Sequence, residues 1–163
     1  MAGLKLSDLK FYDVSTRPSV GDIVWSKWPL REKPAEPGPV ARPVLVIHVQ
    51  DFEVELVEGK PDSKIQYTKV TAQYGGDFKI GDLTNNLLIR ANEFRELGLH
   101  KPTLFRLDTR NRRQLPWCDP YFVPQEYVRG QDIVAGKLNE DQMVHMRACF
   151  AARNLTFPIP DIK

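Results

Sequence analysis

GPVARPVLVIHVQ, residues 38–50, is the stretch on which the reading of the chain turns. A proline-rich run stops at Arg42-Pro43, and Val44-Leu45-Val46-Ile47 follows at once. An apolar run without alternation predicts a strand buried on both faces, central in its sheet. Arg42 stands at the mouth of that strand, held extended by Pro43. It is either a solvated cation that discourages edge pairing or a fork of donors placed to grip a phosphate.

On the N-terminal side, Gly21-Asp22 reads as a turn and Ile23-Val24-Trp25 as a strand ended by Trp28-Pro29. Residues 29–43 hold five prolines with charged residues between them, which predicts a long solvated loop. On the C-terminal side, strands are predicted at Val44 to Val49, Phe52 to Val57 and Ile65 to Ala72, the last broken by Tyr74-Gly75-Gly76-Asp77. Asn86 to Ile89 reads as a short strand. Asn92 to Leu97 reads as one helical turn capped by Asn92 and stopped by Gly98. Leu104 to Leu107 is the next strand, with Arg113 to Trp117 pairing to it across the Asp108–Arg112 turn. Asn139 and Gln142 form a capping box for a long helix at about 139–154, with Met143, Met146, Phe150 and Ala151 as its apolar stripe. Leu4, Leu6, Leu9 and Phe11 suit an arm or a short helix.

Strands first and a helix last predict an α+β, mainly β fold: a small antiparallel barrel in a single domain over 1–163. Residues 1–18 form an arm, 19–117 the barrel core, and 118–163 an extension. The 163 residues, 42% hydrophobic, supply one core. A net charge of +2 does not mark a nucleic-acid binder, so local charge must decide. No signal peptide and no membrane span are expected. Cys118 and Cys149 fit neither a metal spacing nor a disulfide framework, which suits free thiols in the cytoplasm.

Three segments in order carry a resemblance: Gly21-Asp22-Ile23-Val24-Trp25, Arg42-Pro43-Val44-Leu45-Val46-Ile47, and Leu99-His100-Lys101-Pro102-Thr103-Leu104-Phe105-Arg106-Leu107-Asp108. This set resembles the MazF/PemK (Kid-like) growth inhibitors of bacterial type II toxin–antitoxin systems. The resemblance implies an SH3-like β barrel with added helices and a homodimer. It implies a metal-independent endoribonuclease acting on single-stranded RNA without a cofactor, with a cognate antitoxin as partner. The family's arginine-and-aspartate strand falls on Arg106 and Asp108, and its phosphate-handling arginine on Arg42. One departure stands out: the Tyr-Gly-Thr-Ser turn of the PemK-like branch is Tyr74-Gly75-Gly76-Asp77 here.

Such cleavage needs a base for the 2′-hydroxyl, an acid for the leaving oxygen, and fixed positive donors for the phosphorane. Two apart on a strand, Arg106 and Asp108 share a face. Arg106 stabilises charge, and Asp108 either orients it or takes the proton; the alternative is a surface ion pair. Asp77 is a candidate base in a rebuilt site, and Thr103 or Thr71 a substitute hydroxyl. His100 is a candidate acid or base, or simply an exposed loop residue. His48 reads as a core or sheet-face residue and His145 as solvated. Lys101, Arg106, Arg110, Arg112 and Arg113 against Asp108 make a basic cluster suited to a phosphate backbone. Tyr74 and Phe105 are candidate stacking surfaces for bases. The proline-rich loop is a candidate lid over RNA, or the segment that an antitoxin displaces. The Gly76-Asp77 departure keeps a non-catalytic binding module on the same fold as an alternative. A gyrase-poison mode ranks third, because Thr156 to Lys163 lack the helical character that it needs.

Overall fold

The computed structural model describes residues 9–125 and 132–162. Its centre is a long antiparallel pair, β3 (Ala41–Glu55) and β4 (Lys64–Gly76). The strands expected separately at 44–49 and 52–57 are one: no Gly or Pro divides them, and Gln50 and Asp51 stay paired with Lys69 and Thr68. β4 likewise runs on through Tyr74-Gly75-Gly76. Tyr74 pairs with Val44, and Gly75 and Gly76 pair with Phe105 and Leu104 of β6 (Thr103–Phe105).

β2 (Asp22–Lys27) flanks β3 on its other side, with Trp25 opposite Pro43 and Ser26 opposite Arg42. In both strands alternate residues enter different cores, so the run without alternation is explained. Ile23, Trp25, Leu45 and Ile47 face a core closed by β5 (Leu87–Ile89), Phe105 and the helix α1 (Glu140–Ala152). Val24, Val44 and Val46 face a second core with Leu115 of β7 (Arg112–Pro116), Trp117, Tyr121 and Phe122. Each such side chain, fully buried, stabilises the fold by about 1.5–3 kcal/mol. Gly21 of the GDIVW turn sits at φ +94°, and a Cβ there would lie 2.6 Å from Met143 Sδ.

A bulge at Ile47 breaks the register between Val46 and His48. One extra residue inverts the alternation beyond it. Val49 therefore packs on the second core, while His48 and Gln50 face the C-terminal tail. Gln50 exchanges two hydrogen bonds with the Ile162 main chain, at 2.7 and 2.8 Å. Asp161 Oδ1 lies 3.0 Å from the buried His48 Nε2, out of line for a hydrogen bond. Phe157 stacks on Phe150 at 5.1 Å.

β7 does not pair with β6. Both lie along one edge of β4, β6 at Gly75-Gly76 and β7 at Lys69–Gln73. The helical turn is a 3-10 turn at Phe94–Leu97 with Glu93, not Asn92, at its N-cap, and Gly98 stops it at φ +69°. The capping box forms as expected, but the buried stripe of α1 is Gln142, Met146, Cys149 and Phe150. Met143 is half-buried and Ala151 is exposed, one step off the face. Leu9 and Phe11 pack as an arm on the second core. There β1 (Lys10–Phe11) pairs with β8 (Cys118–Asp119), a strand rather than a helix. Leu4 and Leu6 lie outside the described residues. The segment after 117 is integral to the core, since Tyr121 and Phe122 are buried in it.

Adding β9 (Val134–Lys137) beside β2 gives a sheet ordered β5-β6-β4-β3-β2-β9. The fold is mainly β, a curled antiparallel half-barrel with one C-terminal helix, in line with a small α+β barrel. No described helix is long and apolar enough to cross a membrane.

Candidate functional site

The mouth of β3, the end of β4 and the loop entering β6 meet around a cleft of about 670 Å³. It is lined by Arg42, Tyr74, Asp77, His100, Lys101, Thr103 and Arg106, seven residues singled out from the sequence, together with Trp25, Gly75, Gly76 and Gln125. Gly75 makes this approach possible. A Cβ there would meet the Phe105 ring at 2.6 Å and the Pro43 carbonyl at 2.9 Å.

Lys101 Nζ lies 2.7 Å from Asp77 Oδ1. That contact, with Arg42 and His100 close by, holds the Asp77 carboxyl below its usual range. Arg106 Nη2 donates to the Asp77 main-chain oxygen at 2.9 Å and reaches Asp82 Oδ2 at 3.4 Å. Thr103 is buried, and its hydroxyl donates to the Lys101 carbonyl at 3.0 Å. It braces the loop that carries Lys101. The His100 and Trp25 rings are 5.6 Å apart, which places the imidazole over the inner wall. Thr71 sits opposite His48 on β4 and does not line the cleft.

Three expectations are corrected. Arg106 and Asp108 do not share a strand face, because β6 ends at Phe105. Buried Gln73 sets that end. Its Nε2 donates to the carbonyls of Arg106, Asp108 and Asn111 at 2.7, 3.0 and 3.2 Å, curling 106–111 around it. Asp108 turns to Asn111 Nδ2 at 2.7 Å and lies outside the cleft. Phe105 is fully buried in the first core and offers no stacking surface. Arg112 is structural: its Nε donates to Gln73 Oε1 at 2.7 Å, and burial lowers its pKa.

Arg110 and Arg113 belong to an adjoining cleft of about 280 Å³, which shares Val40, Arg42 and Tyr74 with the first. Trp28, just before the proline-rich loop, and Arg31 within it also line it, and the Trp28 and Tyr74 rings are 5.8 Å apart. Together the two clefts gather six cations (Arg31, Arg42, Lys101, Arg106, Arg110 and Arg113) and one carboxylate, Asp77, among their described lining residues. The net charge of +2 hides this, because the acids lie elsewhere. Sequence reading missed Gln73, Trp28 and Arg31. An aromatic at the start of a proline-rich loop and a cation inside it were the available signal for the last two.

Among the described residues no group of three His, Cys, Asp or Glu is placed to hold a metal ion. His145 is exposed on α1, 3.7 Å from Cys149 Sγ. No family model, no curated protein and no solved structure matches the chain.

Proposed function

We propose that the chain is a metal-independent endoribonuclease of the MazF/PemK kind, cutting single-stranded RNA through attack of the 2′-hydroxyl on the adjacent phosphate. One observation carries the reading: seven residues chosen from separate segments line one cleft that continues into an arginine-lined groove. Arg42, Lys101 and Arg106 supply fixed positive charge for the phosphorane. His100, at the cleft wall, is the candidate acid or base. Tyr74 and Trp28 offer ring faces to unpaired bases. On this reading the half-barrel is the SH3-like barrel of that family, and the protein is a cytoplasmic homodimer held by an antitoxin.

The test is a mixed RNA ladder incubated with purified protein in EDTA. Cleavage is expected, spared on the matching DNA, and reduced about 100-fold or more in Arg42→Ala, the usual cost of one preorganised donor. Absence of cleavage, or cleavage untouched by Arg106→Ala, refutes the mechanism. A binding module without catalysis is the second reading, favoured by the position of Asp108 outside the cleft. It predicts retention of RNA without cutting. A gyrase-poison mode has less support: among the described residues no helix follows Ala152, and Phe157 and Ile162 lie against Phe150 and Gln50 of β3.

A further inference from the structure

Asp77 is the single carboxylate among the described residues lining the first cleft, and it stands amid all of that cleft's positive groups. Its Oδ1 meets Lys101 Nζ at 2.7 Å, and Arg42 and His100 lie near enough to act on its charge. Its main-chain oxygen takes Arg106 Nη2. Cations brought together repel one another, and an anion among them relieves that cost. A phosphodiester presents the same pair of anionic oxygens as a carboxylate, so the donors that fit one fit the other.

We propose that Asp77 is a resident anion: its carboxylate occupies the phosphate position of the cleft, bound to Lys101, until an RNA phosphate displaces it. The inference rests on reading the cleft as an RNA site and adds a built-in restraint to it. The Asp77 side chain is 81% exposed and that of Lys101 46%, so water and salt weaken their pair and an incoming phosphate can replace it. The bond from Lys101 lowers the carboxyl's pKa, which makes it a poor base and a good counter-ion. The Arg106 contact is to the main chain and survives loss of the charge. Asp82, paired with Arg106 from the loop beyond, does not line the cleft.

The experiment measures binding of a labelled octanucleotide of 2′-O-methyl RNA, which has no nucleophile and cannot be cut, at several KCl concentrations. Wild type, Asp77→Asn, Lys101→Ala, Arg42→Ala and the Asp77→Asn/Arg42→Ala pair are compared. Asp77→Asn is expected to bind about fivefold more tightly at low salt. Its log–log salt slope should be steeper by about 0.7, the value of one further phosphate contact on a single strand. Lys101→Ala weakens binding. Equal or weaker binding by Asp77→Asn, with Arg42→Ala still abolishing it, overturns the resident anion and leaves the cleft reading intact. Binding indifferent to Arg42→Ala overturns the cleft as an RNA site, and the inference with it. Coincident thermal midpoints of wild type and Asp77→Asn exclude misfolding as the cause.

Discussion

Replacing Gln73 by Met tests how the site is held. Gln73 is fully buried on β4. Its amide donates to three loop carbonyls and accepts from Arg112 Nε. Met fills nearly the same volume and restores none of these bonds. Two amide protons serve the three carbonyls, contributing about 2 kcal/mol, and the bond from the guanidinium adds about 1.5–3. Part of that is recovered where water reaches half-buried Arg112. The expected loss is about 3–4 kcal/mol, a large share of a typical domain's 5–15. In a chain of this length that lowers the melting midpoint by about 6–16 °C. Urea unfolding followed by tryptophan fluorescence reads it as a lower midpoint at constant slope. Gln114→Met, exposed on β7, serves as control with no change expected. Gln73 also holds the Arg106 carbonyl, so oligonucleotide binding should fall at temperatures where the variant is still folded. A stability loss under about 1 kcal/mol refutes the hub. A full loss of stability with Arg106-dependent binding unchanged refutes its role in placing the cleft.

Three further outcomes are expected. Gly75→Val drives side-chain carbon into the Phe105 ring and the Pro43 carbonyl, and should cost about 1–3 kcal/mol or more while disrupting the cleft, read by urea midpoint and oligonucleotide binding. Burial raises the pKa of Asp22 despite its bond from the Ser19 amide. The stability this carboxyl contributes is therefore complete below its unfolded pKa of about 4 and lost as pH rises through the higher folded value. Asp22→Asn should then be slightly more stable than wild type at pH 7, with the difference gone near pH 3; a constant difference contradicts this. Burial pushes the Cys118 thiol up to about 12 and raises that of Cys149, so neither should react with a thiol reagent at pH 8 until urea unfolds the chain.

Local patterns were legible because local rules govern them. Asn139 and Gln142 bond to each other's main chain three residues apart, so the cap needs no tertiary partner. The doubly apolar run at 44–47 requires a face to bury on each side, and it has both cores. Arg42, Lys101 and Arg106 were legible as candidates through the ordered resemblance. Their meeting follows from β4 reaching Gly76, where two glycines let β6 and Pro43 close in.

The rest depended on contacts distant in the chain. Nothing near Ile47 in sequence marks a bulge, yet that one residue turns His48 and Gln50 toward a tail more than a hundred positions on. Asp108 follows Arg106 by two, and alternation puts them together only while the strand lasts. Gln73, more than thirty residues earlier, ends it at Phe105 by drawing in the carbonyls beyond. The sequence by itself determined the strand beginning at Val44, the cation at its mouth and the capped helix, because neighbours in the chain set those energies. Only the tertiary structure decided that Arg42 faces Asp77 and Lys101 rather than Asp108, because buried hydrogen bonds between distant residues choose where each strand stops.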